Sequence, residues 1–482
     1  MNRPLLIDGA LVWGETGFRA GGVLVEGERI AAVGWTDDER RDLRARAAET
    51  VPADEHWLIP GLIDAHAHGY ATLLRGTENS LPLELWALYT TLYGRAYDAR
   101  AIRAAVLLGA AERIRGGVTG VIDHAPMVHL AEAALAAHEQ TGLRVGYAAF
   151  LHDISDHDLL GMTLPPSVAG GLPPVDPSAY AARFAEVLAV ARAGSGRVGV
   201  QLGPNAPQRC SPEAWALWKT LRDRHGVNVH MHLMETRAQA EIGKRRGPEG
   251  LVAEMERFGL LEDGLAAAHG IWLSEVERER LARHAVTVVH NPASNLMLGS
   301  GIMPLSSYRD LGTTVALGTD SANTGGRHDM FETMRLALML PRIGTSQHET
   351  WPRAEEILTM ATRNGAQVLG LGGQVGEIAA GRLADLALVR CDHPTTLGMR
   401  RDASAFVQHG SPEAVDSVMV NGTWVMRERR ILAFDEAAVL REAEAVMAAL
   451  RERTEADRAL LDAALPALSQ SFAAQLPGFR KT

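Results

Sequence analysis

Between about Ile59 and Gly373, short apolar runs alternate with amphipathic stretches that carry a helical period. The runs are Leu58–Ala65, Val118–Asp123, Arg144–Phe150, Arg197–Leu202, Asn228–Leu233, Leu265–Ala268, Thr287–His290 and Thr314–Gly318. Helical texture occupies Ala101–Arg115, Leu130–Gln140, Tyr180–Ala193, Pro212–Arg224 and Ala354–Thr362. Repeats of this kind predict a (β/α)8 TIM barrel, a fold of roughly 250 residues or more. A doubly wound open sheet is the competing arrangement, but no glycine-rich phosphate loop follows the first run.

The chain ends have a different texture. Leu5–Asp8, Ala10–Trp13, Gly22–Glu26 and Arg29–Gly34 predict short strands. So do Ala384–Val389, Asp416–Val420 and Thr423–Val425, the last two joined by Asn421-Gly422, a strong hairpin signal. We therefore expect a small β-sandwich built from residues 1–58 and 376–430, a barrel over 59–375, and a helical extension over 431–482.

Composition narrows the function. The formal charge is −10, with 48 basic and 58 acidic residues, which argues against nucleic acid as the main partner. No apolar run reaches the ~18 residues of a membrane span, and an acid at Asp8 comes too early for a signal-peptide core. Cys210 and Cys391 cannot form a disulfide framework, so a cytoplasmic location is expected. Only Lys219, Lys244 and Lys481 are lysines, so any mechanism that needs a buried lysine has three candidates.

In a barrel the catalytic groups stand at the C-terminal ends of strands. Here those ends read Asp64-Ala65-His66-Ala67-His68, His230-Met231-His232-Leu233-Met234-Glu235, Ala268-His269, Val289-His290 and Gly318-Thr319-Asp320. His66 and His68, two apart on a strand, face one side. His230 and His232 are either a second ligand pair or one ligand beside a packing residue. Four strand ends with histidine and one with aspartate exceed chance for 18 histidines in 482 residues. Imidazoles with a carboxylate suit Zn²⁺ or Fe²⁺ better than Mg²⁺ or Ca²⁺. A catalytic metal lowers the pKa of bound water toward ~7, and Glu235 and Asp320 are the carboxylates placed to move its protons.

With these residues in view, the chain resembles the amidohydrolase superfamily. The nearest branch is that of S-adenosylhomocysteine/methylthioadenosine deaminases, guanine deaminases and s-triazine hydrolases. The resemblance lies in Pro60–His68, Thr72–Gly76, His232–Thr236, His290–Asn295, Gly318–Ser321, Asp329–Glu332 and Gly376–Asp385. It implies one divalent metal per chain, zinc ahead of iron, on His66, His68, His232 and Asp320. It also implies that His269 bonds the attacking water or adds a distant contact. Glu235 would carry a proton to the ring nitrogen, Asp320 would take the water's proton, and His290 would orient substrate. Binuclear members bridge their metals through a lysine at the end of strand 4; Arg197–Leu202 has none.

Three departures bear on substrate. No acid follows Trp86 through Arg95, where the nucleoside branch has a ribose-gripping glutamate. Asn205 stands where that branch has histidine, and Gly69-Tyr70 follows His68. Tyr70, Trp86 and Tyr89 suit stacking on a planar ring, and Asn205 can bond its edge. Asp123 and His124 are further candidates for the pocket wall, and Arg95 could meet a carbonyl-rich edge.

The expected function is a deaminase in which a metal-bound hydroxide attacks an amidine-like carbon of a free N-heterocycle and releases ammonia. The alternatives are expulsion of chloride or alkylamine, opening of a cyclic amide, or a non-catalytic binding protein. The expected partners are a small planar N-heterocycle and copies of the same chain (a dimer or tetramer), with no nucleic acid and no membrane.

Overall fold

A computed structural model of the chain describes residues 3–78, 80–169, 176–246, 249–343 and 345–475. Eight strands follow in chain order in one parallel sheet: Leu62–Ala67, Val118–Ala125, Arg144–Leu151, Val198–Pro204, Val229–Leu233, Leu265–His269, Thr287–His290 and Val315–Leu317. They are strands 1 to 8 below. Nearly every residue in them is buried, as a parallel sheet wrapped by helices requires.

Strand 8 returns to strand 1 through the pair Ala67–Asp320, where the Asp320 N–H donates to the His66 carbonyl at 2.9 Å. Gly318 permits that approach: a Cβ there would stand 2.8 Å from the His66 backbone. The barrel interior is packed largely with small residues, among them Ala65, Ala148, Ala266, Ala268 and Ala316. That economy of volume leaves room for several buried imidazoles.

The apolar run Leu58–Ala65 divides between two sheets. His56–Pro60 pairs with Leu386–Arg390, and strand 1 starts only at Leu62. Both halves are buried, so hydrophobicity gives no sign of the break. Gly61 marks it, since a Cβ there would overlap Thr119.

The two chain ends meet in one nine-stranded mixed sheet. Leu5–Gly14 is a single bulged strand, antiparallel to Gly17–Glu26 and parallel to both Glu49–Pro52 and His56–Pro60. Its apolar core holds Ile7, Val12, Val23, Leu58 and Leu388. The Asn421-Gly422 hairpin has φ of 53° and 69°, the left-handed pair that a tight hairpin needs. The N-terminal stretch, expected to form strands, also holds a helix, Asp37–Arg46. Only Leu43 of its ten residues is buried, so it carries no apolar stripe, though Thr36 and Glu39 form a capping box at its start.

The chain's last described segment is one 40-residue helix, Glu436–Gln475, with Pro466 inside it. It packs on the helices Leu83–Arg95 and Ala99–Arg115. Among the described residues, no helix is long and apolar enough to cross a membrane.

Candidate active site

Strands 1, 5, 6 and 8 deliver their terminal side chains to one buried cluster. The ligand-type atoms stand close together: His232 Nε2 is 3.2 Å from His68 Nε2, and Asp320 Oδ1 is 3.3 Å from His68 Nε2 and 3.5 Å from His66 Nε2. Donors bound about 2.0–2.1 Å from a tetrahedral zinc stand roughly 3.4 Å apart, so this spacing fits a divalent ion. His269 lies slightly farther out, with Nε2 3.6 Å from Glu235 Oε2 and 3.9 Å from Asp320 Oδ2.

The remaining ring nitrogens decide which atoms face the centre. His68 Nδ1–H donates to the His124 carbonyl at 2.5 Å, and His232 Nδ1–H to the Asn205 carbonyl at 2.7 Å. His269 Nδ1–H donates to Asn295 Oδ1 at 2.8 Å, and His66 Nδ1 lies 2.7 Å from His230 Nε2. Each ring therefore presents Nε2 to the cluster, the tautomer a metal ligand needs. Among the described residues, buried His66 Nε2 and His269 Nε2 have no hydrogen-bond partner, as expected for atoms built to meet something else.

Burial pushes the His66 imidazole down to about 4 and lowers His269, which keeps both neutral. Burial alone would raise the Asp320 carboxyl, but the imidazoles of His66, His269 and His68 around it hold it well below the usual carboxylate range. Asp320 thus stays an anion.

Backbone strain concentrates here. Met234, His269 and Asp320 have φ of 47°, 78° and 63°, three of the seven positive-φ non-glycine residues among those described. Asp64 anchors the turn before Asp320: it accepts from Thr319 N at 2.8 Å, Thr319 Oγ1 at 2.7 Å and Arg113 Nε at 2.8 Å. Glu235 is held by its own N–H, which donates to Gln239 Oε1 at 2.9 Å.

One cavity opens over the cluster, walled by His68, Asp320, His269, Glu235 and His232 at its floor. Tyr70, Trp86 and Asn205 line it as expected. His290 does not: it is fully buried away from the cavity wall, with its imidazole pushed down to about 3 by burial. Tyr89 faces the other side of its helix, and its hydroxyl donates to Asp462 Oδ1 at 2.8 Å. Arg95 is exposed. Asp123 pairs with His138 at 2.7 Å and accepts from Gly69 N, and His124 packs between strands. Burial pushes the Cys210 thiol far up, as for an inert core cysteine.

Glu84, Arg209 and His152 are among the cavity residues that the sequence does not single out. Glu84, two positions before Trp86, is buried in the wall and accepts from Thr236 Oγ1. Arg209 and His152 come from the loops after strands 4 and 3. His230, expected to be either a ligand or a packing residue, is fully buried and lies against His66 Nδ1.

A (β/α)8 barrel with this constellation at its strand ends defines the chain as a hydrolase acting on carbon–nitrogen bonds other than peptide bonds. The chain belongs to the amidohydrolase family, which matches residues 57–425. It is 36% identical to the 5-methylthioadenosine/S-adenosylhomocysteine deaminase of Pyrococcus furiosus, over 87% of this chain and 93% of that one. It is 32% identical to the 5'-deoxyadenosine deaminase of Methanothermobacter thermautotrophicus, over 93% and 99% respectively. Its fold matches that of an adenosine deaminase from Xanthomonas campestris with bound zinc, with a TM-score of 0.83, 27% identity, and 94% and 98% coverage.

Proposed function

We propose that the chain is a one-metal deaminase that releases ammonia from the amidine-like carbon of a planar N-heterocycle. The observation that carries this reading is the tautomer pattern: four rings offer Nε2 to one carboxylate-bearing centre, and a second carboxylate, Glu235, stands beside it.

His66, His68, His232 and Asp320 would hold the ion, zinc in preference to iron. When bound, it supplies Lewis-acid activation of the attacking water. Asp320, kept anionic, takes a proton from that water. Glu235 would carry the other proton of the water to the ring nitrogen next to the reacting carbon, and the proton taken by Asp320 would pass to the leaving amine, which departs as ammonia. His269, neutral and fixed by Asn295, hydrogen-bonds through Nε2 at the point of attack. Trp86 and Tyr70 cover the ring faces and exclude water.

A single metal fits the lysine positions. Lys219 pairs with Asp223 and Lys244 with Glu241, both on helices outside the barrel, and Lys481 lies beyond the described residues. Strand 4 has none to bridge a second ion.

The test is ammonia release from a panel of amino-substituted purines, pterins, pyrimidines, triazines and adenine nucleosides. We expect release from at least one class, and a kcat/KM for its best member above 10⁴ M⁻¹ s⁻¹, the order of an ordinary enzyme. Release of chloride or alkylamine from substituted triazines, with no ammonia from any compound, would replace this reading.

A further inference from the structure

The helix Glu436–Gln475 lies beyond residues 57–425, the part of the chain that matches the amidohydrolase family. It nevertheless covers elements that wall the cavity. One stripe of it is buried, with Val446, Leu450, Thr454, Leu461, Leu468 and Phe472 at steps of four or seven, the spacing of a single helix face. Its first half is tied to the helix Ala99–Arg115: Arg115 Nε and Nη2 both donate to Glu436 at 2.6 Å, and Arg103 Nη1 donates to Glu442 at 2.7 Å. Its second half meets the segments that follow strands 1 and 5. Tyr89 O–H donates to Asp462 Oδ1 at 2.8 Å, Arg458 pairs with Glu78 at 3.2 Å, and Arg245 Nη2 donates to the Gln475 carbonyl at 3.0 Å. The helix also packs on the turn Gly69–Leu74, which carries Tyr70.

The helix Leu83–Arg95 lies between this helix and the cavity. Leu83, Trp86, Ala87 and Thr91 line the cavity, whereas Leu85, Tyr89 and Leu92 fall on the opposite face and join the core that also holds Leu461 and Leu468. Among the described residues no side chain caps its start, so its seating rests on packing and on polar ties such as Tyr89–Asp462. Burial and the hydrogen bond to Asp462 push the Tyr89 phenol up, so it stays protonated and donates.

We propose that the C-terminal helix belongs to the substrate site, with Tyr89 and Asp462 as positioning residues that seat the helix Leu83–Arg95 and thereby hold Trp86 over the ring. This rests on the deaminase reading and extends its site to a part of the chain outside the family match. The metal-facing side chains stand on strand ends and none on Leu83–Arg95, so loosening that helix should weaken substrate binding and spare the chemical step.

The experiment uses the full-length, zinc-loaded protein and its Tyr89→Phe, Asp462→Ala and Asp462→Asn variants. Asparagine keeps an oxygen that accepts from the tyrosine. On the best amino heterocycle, Tyr89→Phe and Asp462→Ala should each raise KM about 5–10-fold with kcat within about 2-fold, the signature of lost binding alone. Asp462→Asn should keep KM within about 2-fold of the wild type, and the double variant Tyr89→Phe/Asp462→Ala should be about as impaired as either single one. Unchanged KM in Tyr89→Phe overturns the proposal even if Asp462→Ala fails to fold. So does a fall in kcat at constant KM, or an Asp462→Asn variant as poor as Asp462→Ala. Amide hydrogen exchange gives a readout free of turnover: residues 83–95 should exchange about 5-fold faster or more in Tyr89→Phe, while strand 3 keeps its rate. Equal exchange over 83–95 overturns the proposal. Absence of ammonia release from every amine would instead strike the deaminase reading, leaving the exchange contrast to decide the role of the helix.

Discussion

Glu235 has two attachments that separate its chemistry from the fold: its N–H is tied to Gln239, while its carboxylate faces His269. Glu235→Gln should therefore keep folding and metal content and lower kcat by about 10²–10⁴, the usual worth of a positioned acid–base; near-wild-type turnover would remove it from the mechanism. His230 is the acceptor-side neighbour of His66 Nδ1. His230→Leu should weaken zinc binding about 10–100-fold in competition with a chromophoric chelator, and His230→Gln should recover most of it. Unchanged affinity in His230→Leu would make it a packing residue. The histidines, Glu235 and Asp320 are legible in sequence because a parallel barrel sends every strand's C-terminal end to one face. Glu84 and Arg209 are not, since a helix and a loop acquire a cavity side only after packing.

At the level of elements, the join between strands 8 and 1 is the tightest part of the site. An added Cβ at Gly318 would meet Asn291 Oδ1 at 2.5 Å and the His66 backbone at 2.8 Å. Gly318→Ala should destabilise the protein by about 1–3 kcal/mol in urea unfolding and lower zinc affinity as well, because His66 and Asp320 sit across that join. A stability loss with intact metal affinity would show that the join and the cluster are independent. The helix Leu83–Arg95 shows how one element serves two neighbours. Leu83, Ala87 and Thr91 face the cavity, while Tyr89 is tied to Asp462 of the C-terminal helix. Sequence periodicity locates strands well, yet it joins Leu58–Pro60 to strand 1 and shows no helix at Asp37–Arg46. In the first case two buried sheets share one apolar run, and in the second a surface helix has almost nothing to bury.

For the whole molecule, the buried histidines make stability depend on pH. Burial lowers His290 to about 3 and holds His124 and His328 well below their usual range. In the unfolded chain these groups bind protons near pH 6.5, so between that pH and the folded values the unfolded state holds more protons. Stability then rises with pH and is lost as pH falls below about 6.5, by about 1 kcal/mol per group at pH 5.5. The urea midpoint should be lower at pH 5.5 than at 7.5; an equal or higher midpoint would contradict this. The meeting of the chain ends was legible only as matching strand texture, because sequence shows what could pair and not what does. In the proposed function one metal serves one deamination site. Zinc titrated into metal-free protein, with ammonia release followed on the best amino heterocycle, tests it most directly. Activity should rise linearly and stop at one equivalent per chain; a break at two equivalents, or full activity without metal, would contradict the account.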